Sequence, residues 1–579
     1  MPSPEDHFEI CEQRRAILEG AGHMLILGGP GSGKTTIALL KARRAVLASL
    51  QPEQSVLFLS FSNSAIRRIL ESTGDILTTR IARNVEIKTY HSFAWGILRS
   101  HGYLLSSQRQ LAIVAAQDAA VIRAGLKDEE WATEEDRLFL ADGRLTYDQF
   151  APRAADLLER SGVIRRRFGH AYPLILVDEF QDTDEDQWRL IRTLSHDSDV
   201  IALGDTEQRI YAWRKGVSTT RLQDFAETLG ATVFDFRNEN NRSPATGIAG
   251  YARSLLSPDV QLEPPDDIEF RHFRAGMFAV GLRFALNNTW KQAVKRTSRS
   301  DPSVVVAARS RTMVRLISDT LARKLTVNGK EHRPIRHDVM FDQMQITLAA
   351  RVIAFVMASQ TAPPHERLAN ALDRISAVYR CSGTKTGIKT SDRLLRWAEG
   401  CRNEKVPNTK CVRALTAVFE KVNASGFVGS PTADWLTVRR ALEGADAEEL
   451  QRAGDHARYL RLLRRGSAIE AQLGDLWKQW GNYGGAEAAL NRAIVQDQLM
   501  DNHREAFSIS VMTMHQLKAR EYDAVLLVED QHRTFRGRDN EAPFMETRRL
   551  LQVSLTRARH FACILAERRS ATLNVIFQS

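Results

Sequence analysis

Cysteine, aromatic residues and long apolar runs are all scarce in this chain of 579 residues. Five cysteines over that length cannot staple a disulfide scaffold, and Cys381, Cys401, Cys411 and Cys563 form no C-x-x-C pair of the kind that holds zinc or a cluster. No apolar stretch approaches the ~18 residues that a bilayer-spanning helix needs. The segment from Met1 to Cys11 carries Glu5, Asp6 and Glu9 and no apolar core, unlike a secretory leader. The expectation is a cytoplasmic protein with no membrane partner. Charge of one sign is also in short supply. Lys+Arg is 80 against 70 for Asp+Glu, a net +10 that permits a polyanionic partner without requiring one. A hydrophobic fraction of 43% and a charged fraction of 26% belong to a folded globular chain. The length suggests about four folded units.

What is present is a set of short, unbroken apolar runs. Met24–Leu27, Val56–Leu59, Leu174–Val177 and Val200–Leu203 do not alternate polar with apolar. Such runs suit strands buried on both faces, as in a parallel sheet covered by helices. Thr232–Phe236 and Val304–Ala307 read as two more, and the strand texture returns at Ile509–Met512 and Ala524–Val528. Between 345 and 502 strand-like runs give way to helical periodicity. The pattern predicts an α/β chain with two lobes, each interrupted by a helical insert. Residues 1–93 and 172–230 form the first lobe, with 94–171 as its insert. Residues 231–344 and 503–579 form the second lobe, with 345–502 as its insert.

One segment carries chemistry on its own. Gly28, Gly29, Pro30, Gly31, Ser32, Gly33, Lys34 and Thr35 follow a strand and open a helix, matching G-x-x-x-x-G-K-[ST] in its required context. The glycines let backbone N–H groups turn inward toward phosphate oxygens, and the helix N-terminus adds a positive dipole end. Lys34 would sit on the β/γ-phosphates and the Thr35 hydroxyl on Mg²⁺, with Thr36 next in the ATP-binding turn. Asp178 and Glu179 close the strand Leu174–Val177. Asp178 would share the Mg²⁺ and Glu179 would orient the attacking water, since phosphoanhydride hydrolysis rests on positioning and charge neutralisation.

Several further segments, in order along the chain, resemble superfamily 1 helicases of the UvrD/Rep/PcrA group. Phe8–Arg14 resembles the segment whose Gln, here Gln13, reads the adenine edge. Leu59–Ala65 resembles T-F-T-N-x-A, and Thr89–Phe93 resembles T-x-H-S-F. Val177–Thr183 is nearly V-D-E-x-Q-D-T, and Gly204–Arg214 resembles G-D-x-x-Q-x-I-Y-x-W-R. Asn240–Ser243 resembles N-Y-R-S. Met512–Tyr522 resembles M-T-x-H-x-x-K-G-L-E-F, and Val553–Ala558 resembles V-A-L-T-R-A.

This resemblance implies two RecA-like P-loop lobes with parallel sheets and an ATP-driven DNA helicase moving 3′ to 5′ on single-stranded DNA. ATP and Mg²⁺ would be its cofactors, and single strands and duplex junctions its substrates. It implies that Arg242 and Arg557 reach the γ-phosphate as arginine fingers, a task suited to an always-charged planar donor fork. Gln208 would sense the same phosphate, and Glu521 would meet the ribose. Phe61, Asn63, His91, Tyr211, Trp213, Arg309 and His515 would face DNA. Tyr211 and Trp213 could also be interface core, His91 and His515 satisfied core histidines, and Arg309 a solvated helix start. Asn241 stands where the group has a Tyr that stacks on adenine, which puts triphosphate selectivity in question. Ala519-Arg520 replaces Gly-Leu beside Lys518. A second reading is a helicase-fold ATPase subunit that regulates or loads a partner nuclease in an anti-phage complex of the Gabija kind. A nucleotide hydrolase unconnected with nucleic acid would explain Lys34 and Asp178 but not the aromatic segment around Trp213.

Overall fold

The computed structural model describes residues 10–576 except 61–65, 67–68, 70–75, 107–109, 211–215, 238, 240–245, 258, 260–262, 328, 341–342, 459–467, 501–506, 519, 530–531, 533, 538, 540 and 569–575. The chain divides into two compact units. The first comprises Met1–Gly102, Phe150–Met340 and His503–Ser579, and the second Tyr103–Gln149 and Phe341–Asn502.

The first unit holds two six-stranded parallel sheets, the two RecA-like lobes. In the first lobe the strands are β1 (Met24–Gly28), β2 (Val56–Ser60), β3 (Val85–Thr89), β4 (Leu174–Val177), β5 (Asp199–Gly204) and β6 (Thr232–Phe236), in the spatial order β3-β2-β4-β5-β1-β6. Every pairing is parallel. The apolar runs are central because helices cover both sheet faces, and β2 and β4 are buried along their whole length. In the second lobe the strands are β7 (Ile268–Phe273), β8 (Val304–Ala308), β9 (Asp338–Val339), β10 (Ile509–Thr513), β11 (Tyr522–Val528) and β12 (Ala558–Glu567), in the order β9-β10-β8-β11-β12-β7. These pairings are parallel too.

Two expected boundaries shift. Thr232–Phe236, expected in the second lobe, pairs with β1 at the edge of the first sheet. Its outer positions are exposed, so it is an edge strand and not one buried on both faces. The first insert is shorter than 94–171. The helices Tyr90–His101, Phe150–Arg160 and Gly162–Ala171 belong with the sheets, because Phe93 packs on Phe168 and Tyr172 over the flank of β3.

The second unit is helical, with a core drawn from Gln343–Ala358, Pro364–Arg380, Lys410–Ser425 and Pro431–Glu443. This matches the apolar periodicity read between 345 and 502. Asp434 ties it locally, accepting from Val428 N–H, Gly429 N–H and the Tyr483 hydroxyl. Among the described residues no helix is long and apolar enough to cross a membrane.

Candidate active site

In a parallel sheet the loops beyond the carboxyl ends of the strands gather at one edge, and there the chemistry collects. The phosphate loop leaves β1 and enters the helix Lys34–Ala48. Gly31 and Gly33 hold φ of 80° and 86°, left-handed values that a side chain resists. A Cβ on Gly28 would lie 2.2 Å from Ser32 Oγ, so the loop's curl leaves no room for one. The Lys34 ammonium donates to the Gly28 and Gly29 carbonyls, the latter at 3.0 Å. Ser32 Oγ is buried with no hydrogen-bond partner among the described residues. Thr35 and Thr36 lie half-buried in the first helical turn.

Asp178 and Glu179 follow β4, which is separated from β1 only by β5. The strand axes of β1 and β4 are therefore about 10 Å apart. Asp178 is 3% exposed, and its N–H donates to the Leu59 carbonyl at 2.9 Å. Glu179 adopts φ 52°, a strained conformation for a side chain of its length that turns the chain sharply into the short helix Phe180–Asp182. The loop fits a triphosphate, since its curl rests on left-handed Gly31 and Gly33 and on the absence of a Cβ at Gly28. A hydroxyl and a carboxylate are hard oxygen donors of the kind Mg²⁺ takes while retaining phosphate and water ligands. Among the described residues no group of three or more His, Cys, Asp or Glu could hold a metal by itself.

A polar relay runs from this pair to the second lobe. The Gln181 amide donates to Glu179 Oε2 at 2.6 Å, and its carbonyl accepts from Asp205 N–H at 3.1 Å. Asp205 Oδ2 accepts from the Gln208 amide at 2.6 Å. Gln208 Oε1 accepts from Arg557 Nη2 at 2.7 Å. Arg557 stands between the helix Met545–Leu555 and β12, is 1% exposed, and also donates to the Val553 carbonyl at 3.0 Å. Every member but Glu179 is buried, where hydrogen bonds are electrostatically strong.

The remaining expected residues are more scattered. Gln13 is exposed on the helix Glu12–Glu19. Glu521 pairs with Arg559 at 3.3 Å just before β11. His91 lies in the first turn of the helix Tyr90–His101, which Thr89 and Ser92 cap reciprocally, and its ring meets Phe150 edge-on at 6.3 Å. Arg309 and His515 follow adjacent strands, β8 and β10, at the same edge of the second sheet. Arg309 pairs with Glu546 at 3.1 Å. Burial, helped by Arg309, pushes the His515 imidazole down to about 4, so it is neutral at physiological pH. Phe61, Asn63, Tyr211, Trp213, Arg242 and Asn241 lie outside the described residues.

Two cations join the site that the sequence reading left without a role. Lys518 is 7% exposed and donates to Asp182 Oδ2 and, at 2.7 Å, to the Gln208 carbonyl, with Glu179 Oε2 3.9 Å away. It thus ties the second lobe to the acidic segment of the first. Burial raises the Asp182 carboxyl to about 6 against the opposing pull of Lys518. Arg14 donates to the Ser32 carbonyl at 3.4 Å and pairs with Glu239, while its guanidinium lies 5.0 Å over the Phe236 ring. A signal existed for Arg14, because it shares the inward helix face with Ile17 and Leu18. Lys518 stands within Met512–Tyr522, but its partner is more than 300 residues away.

A family model described as an AAA domain matches residues 13–214. ATP-dependent DNA helicase PcrA of Bacillus subtilis is 21% identical, over 94% of this chain and 81% of that protein. ATP-dependent DNA helicase UvrD1 of Mycobacterium tuberculosis is 24% identical, over 96% of this chain and 82% of that protein. DNA helicase II of Haemophilus influenzae is 25% identical over a shorter span, 42% of this chain and 40% of that protein. The two longer alignments run through both parallel-sheet lobes and the helical unit alike. Over nearly its whole length the chain is similar to superfamily 1 helicases of the UvrD/Rep/PcrA group.

Proposed function

We propose that the chain is an ATP-hydrolysing DNA helicase that moves 3′ to 5′ along single-stranded DNA and separates strands at duplex junctions. The observation that carries this reading is the relay from Glu179 through Gln181, Asp205 and Gln208 to Arg557. It gives the water-activating carboxylate of one lobe a hydrogen-bonded route to a buried arginine of the other.

Phosphates of ATP are held by the loop from Gly28 to Thr36, with Gln13 at the base and Glu521 at the ribose. Thr35 and Asp178 would hold Mg²⁺, which when bound neutralises phosphate charge. Lys34 leaves the two glycine carbonyls for phosphate oxygens, a charge-assisted exchange. Glu179 orients the attacking water. Arg557 and Arg242 stabilise charge on the transferred phosphoryl, and Gln208 registers whether the third phosphate is present. Because Gln208 also holds Arg557, loss of that phosphate loosens the tie between lobes. Phe61, Asn63, His91, Tyr211, Trp213, Arg309 and His515 grip the strand, and alternating closure of the lobes advances it.

The decisive experiment measures ATP turnover with and without single-stranded DNA, and unwinding of duplexes with 3′ or 5′ tails. Turnover stimulated by DNA, unwinding only of the 3′-tailed duplex, and loss of both in Lys34→Ala are expected. Unwinding from the 5′ tail would overturn the direction, and full turnover in Lys34→Ala would overturn the site.

A further inference from the structure

An arginine of the second lobe, Arg253, lies against the phosphate loop. The helix Ile248–Ser254 is anchored there by Ile248, Tyr251 and Ala252, which are buried in that lobe's core. Arg253 projects from its last turn. Its Nε donates to Glu207 Oε2 at 3.2 Å and its Nη2 to the Arg237 carbonyl at 2.6 Å. Both acceptors belong to the first lobe, where Glu207 follows β5 and Arg237 follows β6. The same Nη2 stands 3.3 Å from the point a Cβ on Gly29 would occupy. Gly29 is the residue whose carbonyl accepts from Lys34 at 3.0 Å. A second-lobe cation therefore rests against the loop, next to the lysine that would meet the terminal phosphates.

We propose that Arg253 is a triphosphate-contacting residue, exchanging the Arg237 carbonyl for an oxygen of the terminal phosphate when ATP is bound. This rests on the ATPase reading above. A guanidinium has five N–H donors, and the two bonds to Glu207 and Arg237 leave others for phosphate. A bond to an anionic oxygen is roughly twice as strong as one to a neutral carbonyl, so the exchange is favourable. The restraint is slight, because the Arg253 and Glu207 side chains are 44% and 30% exposed and such ion pairs are weak. Glu207 lies between Asp205 and Gln208, so release of Arg253 also alters the segment that carries the inter-lobe relay. A clamp that merely joined the lobes would treat di- and triphosphate alike, whereas a contact to the third phosphate would not.

The test compares the full-length protein with Arg253→Ala, Arg253→Lys and Lys34→Ala. Affinities for ADP and for the imido analogue of ATP are measured, together with DNA-stimulated turnover. Arg253→Ala should weaken the analogue and slow turnover by about tenfold or more, while ADP affinity moves by less than about twofold. Arg253→Lys should fall between, and its retained charge guards against a folding defect in the alanine variant. Wild-type turnover in Arg253→Ala, or equal weakening of ADP and analogue, would overturn the inference and leave the ATPase reading standing. No turnover by the wild-type chain, or full turnover in Lys34→Ala, would overturn both.

Discussion

Replacing Lys518 by Met leaves the Asp182 carboxylate buried without its cation. Asp182 is 1% exposed, and its Oδ1 makes no hydrogen bond among the described residues. Stranding a buried charge in this way costs about 3–5 kcal/mol. The carboxyl can escape that cost by taking a proton, and burial already raises it from 3.8 to about 6 with Lys518 in place. In the wild type the folded state therefore holds a proton that the unfolded chain has lost between about pH 4 and 6. Stability declines as pH rises through that window, by about 3 kcal/mol. Without Lys518 the carboxyl rises further, so Lys518→Met should cost the full about 3–5 kcal/mol at pH 7 and distinctly less at pH 5. The double variant Asp182→Asn/Lys518→Met removes both charges and should recover most of the loss. Urea unfolding followed by tryptophan fluorescence at the two pH values reads this out. An equal loss at pH 5 and pH 7, or a double variant weaker than either single one, would refute the buried-pair reasoning.

Other perturbations separate the parts of the site. Arg557→Ala should lower DNA-stimulated turnover by about a hundredfold or more while ADP affinity changes only a few-fold, because the proposed contact is to the transferred phosphoryl, which ADP lacks. Rapid-quench turnover alongside ADP titration checks this. Gly28→Ala would place its methyl 2.2 Å from Ser32 Oγ, and nucleotide binding should be lost with little change in the melting of the helical unit. His515, held down to about 4, is uncharged from pH 5.5 upward. The pH–rate profile of turnover should therefore keep its shape in His515→Asn between pH 6 and 8, and disappearance of a step there would refute the buried-imidazole assignment. The depressed histidine also means that stability falls as pH drops from its unfolded value of 6.5 toward 4.

Sequence alone determined whatever is local. The phosphate loop was legible because strand, glycines, lysine and helix are contiguous, and its φ values follow from residue type at each position. The buried strands were legible because a strand covered on both faces has no polar alternation to conceal it. Asp178 and Glu179 were legible as the end of such a strand. Tertiary structure decided which distant groups meet. Arg14 finds Glu239 across 225 residues, Lys518 finds Asp182 across 336, and Gln208 finds Arg557 across 349. Helical periodicity can place an arginine such as Arg14 on an inward face, but it cannot name the partner, which tertiary packing fixes. The edge position of Thr232–Phe236 was likewise beyond local pattern, because a strand's neighbours are set by crossovers and not by its own side chains. Contiguous residues specify the pieces of the motor through backbone sterics and burial. The coupling between its lobes is specified by charges that acquire meaning only after both sheets have formed.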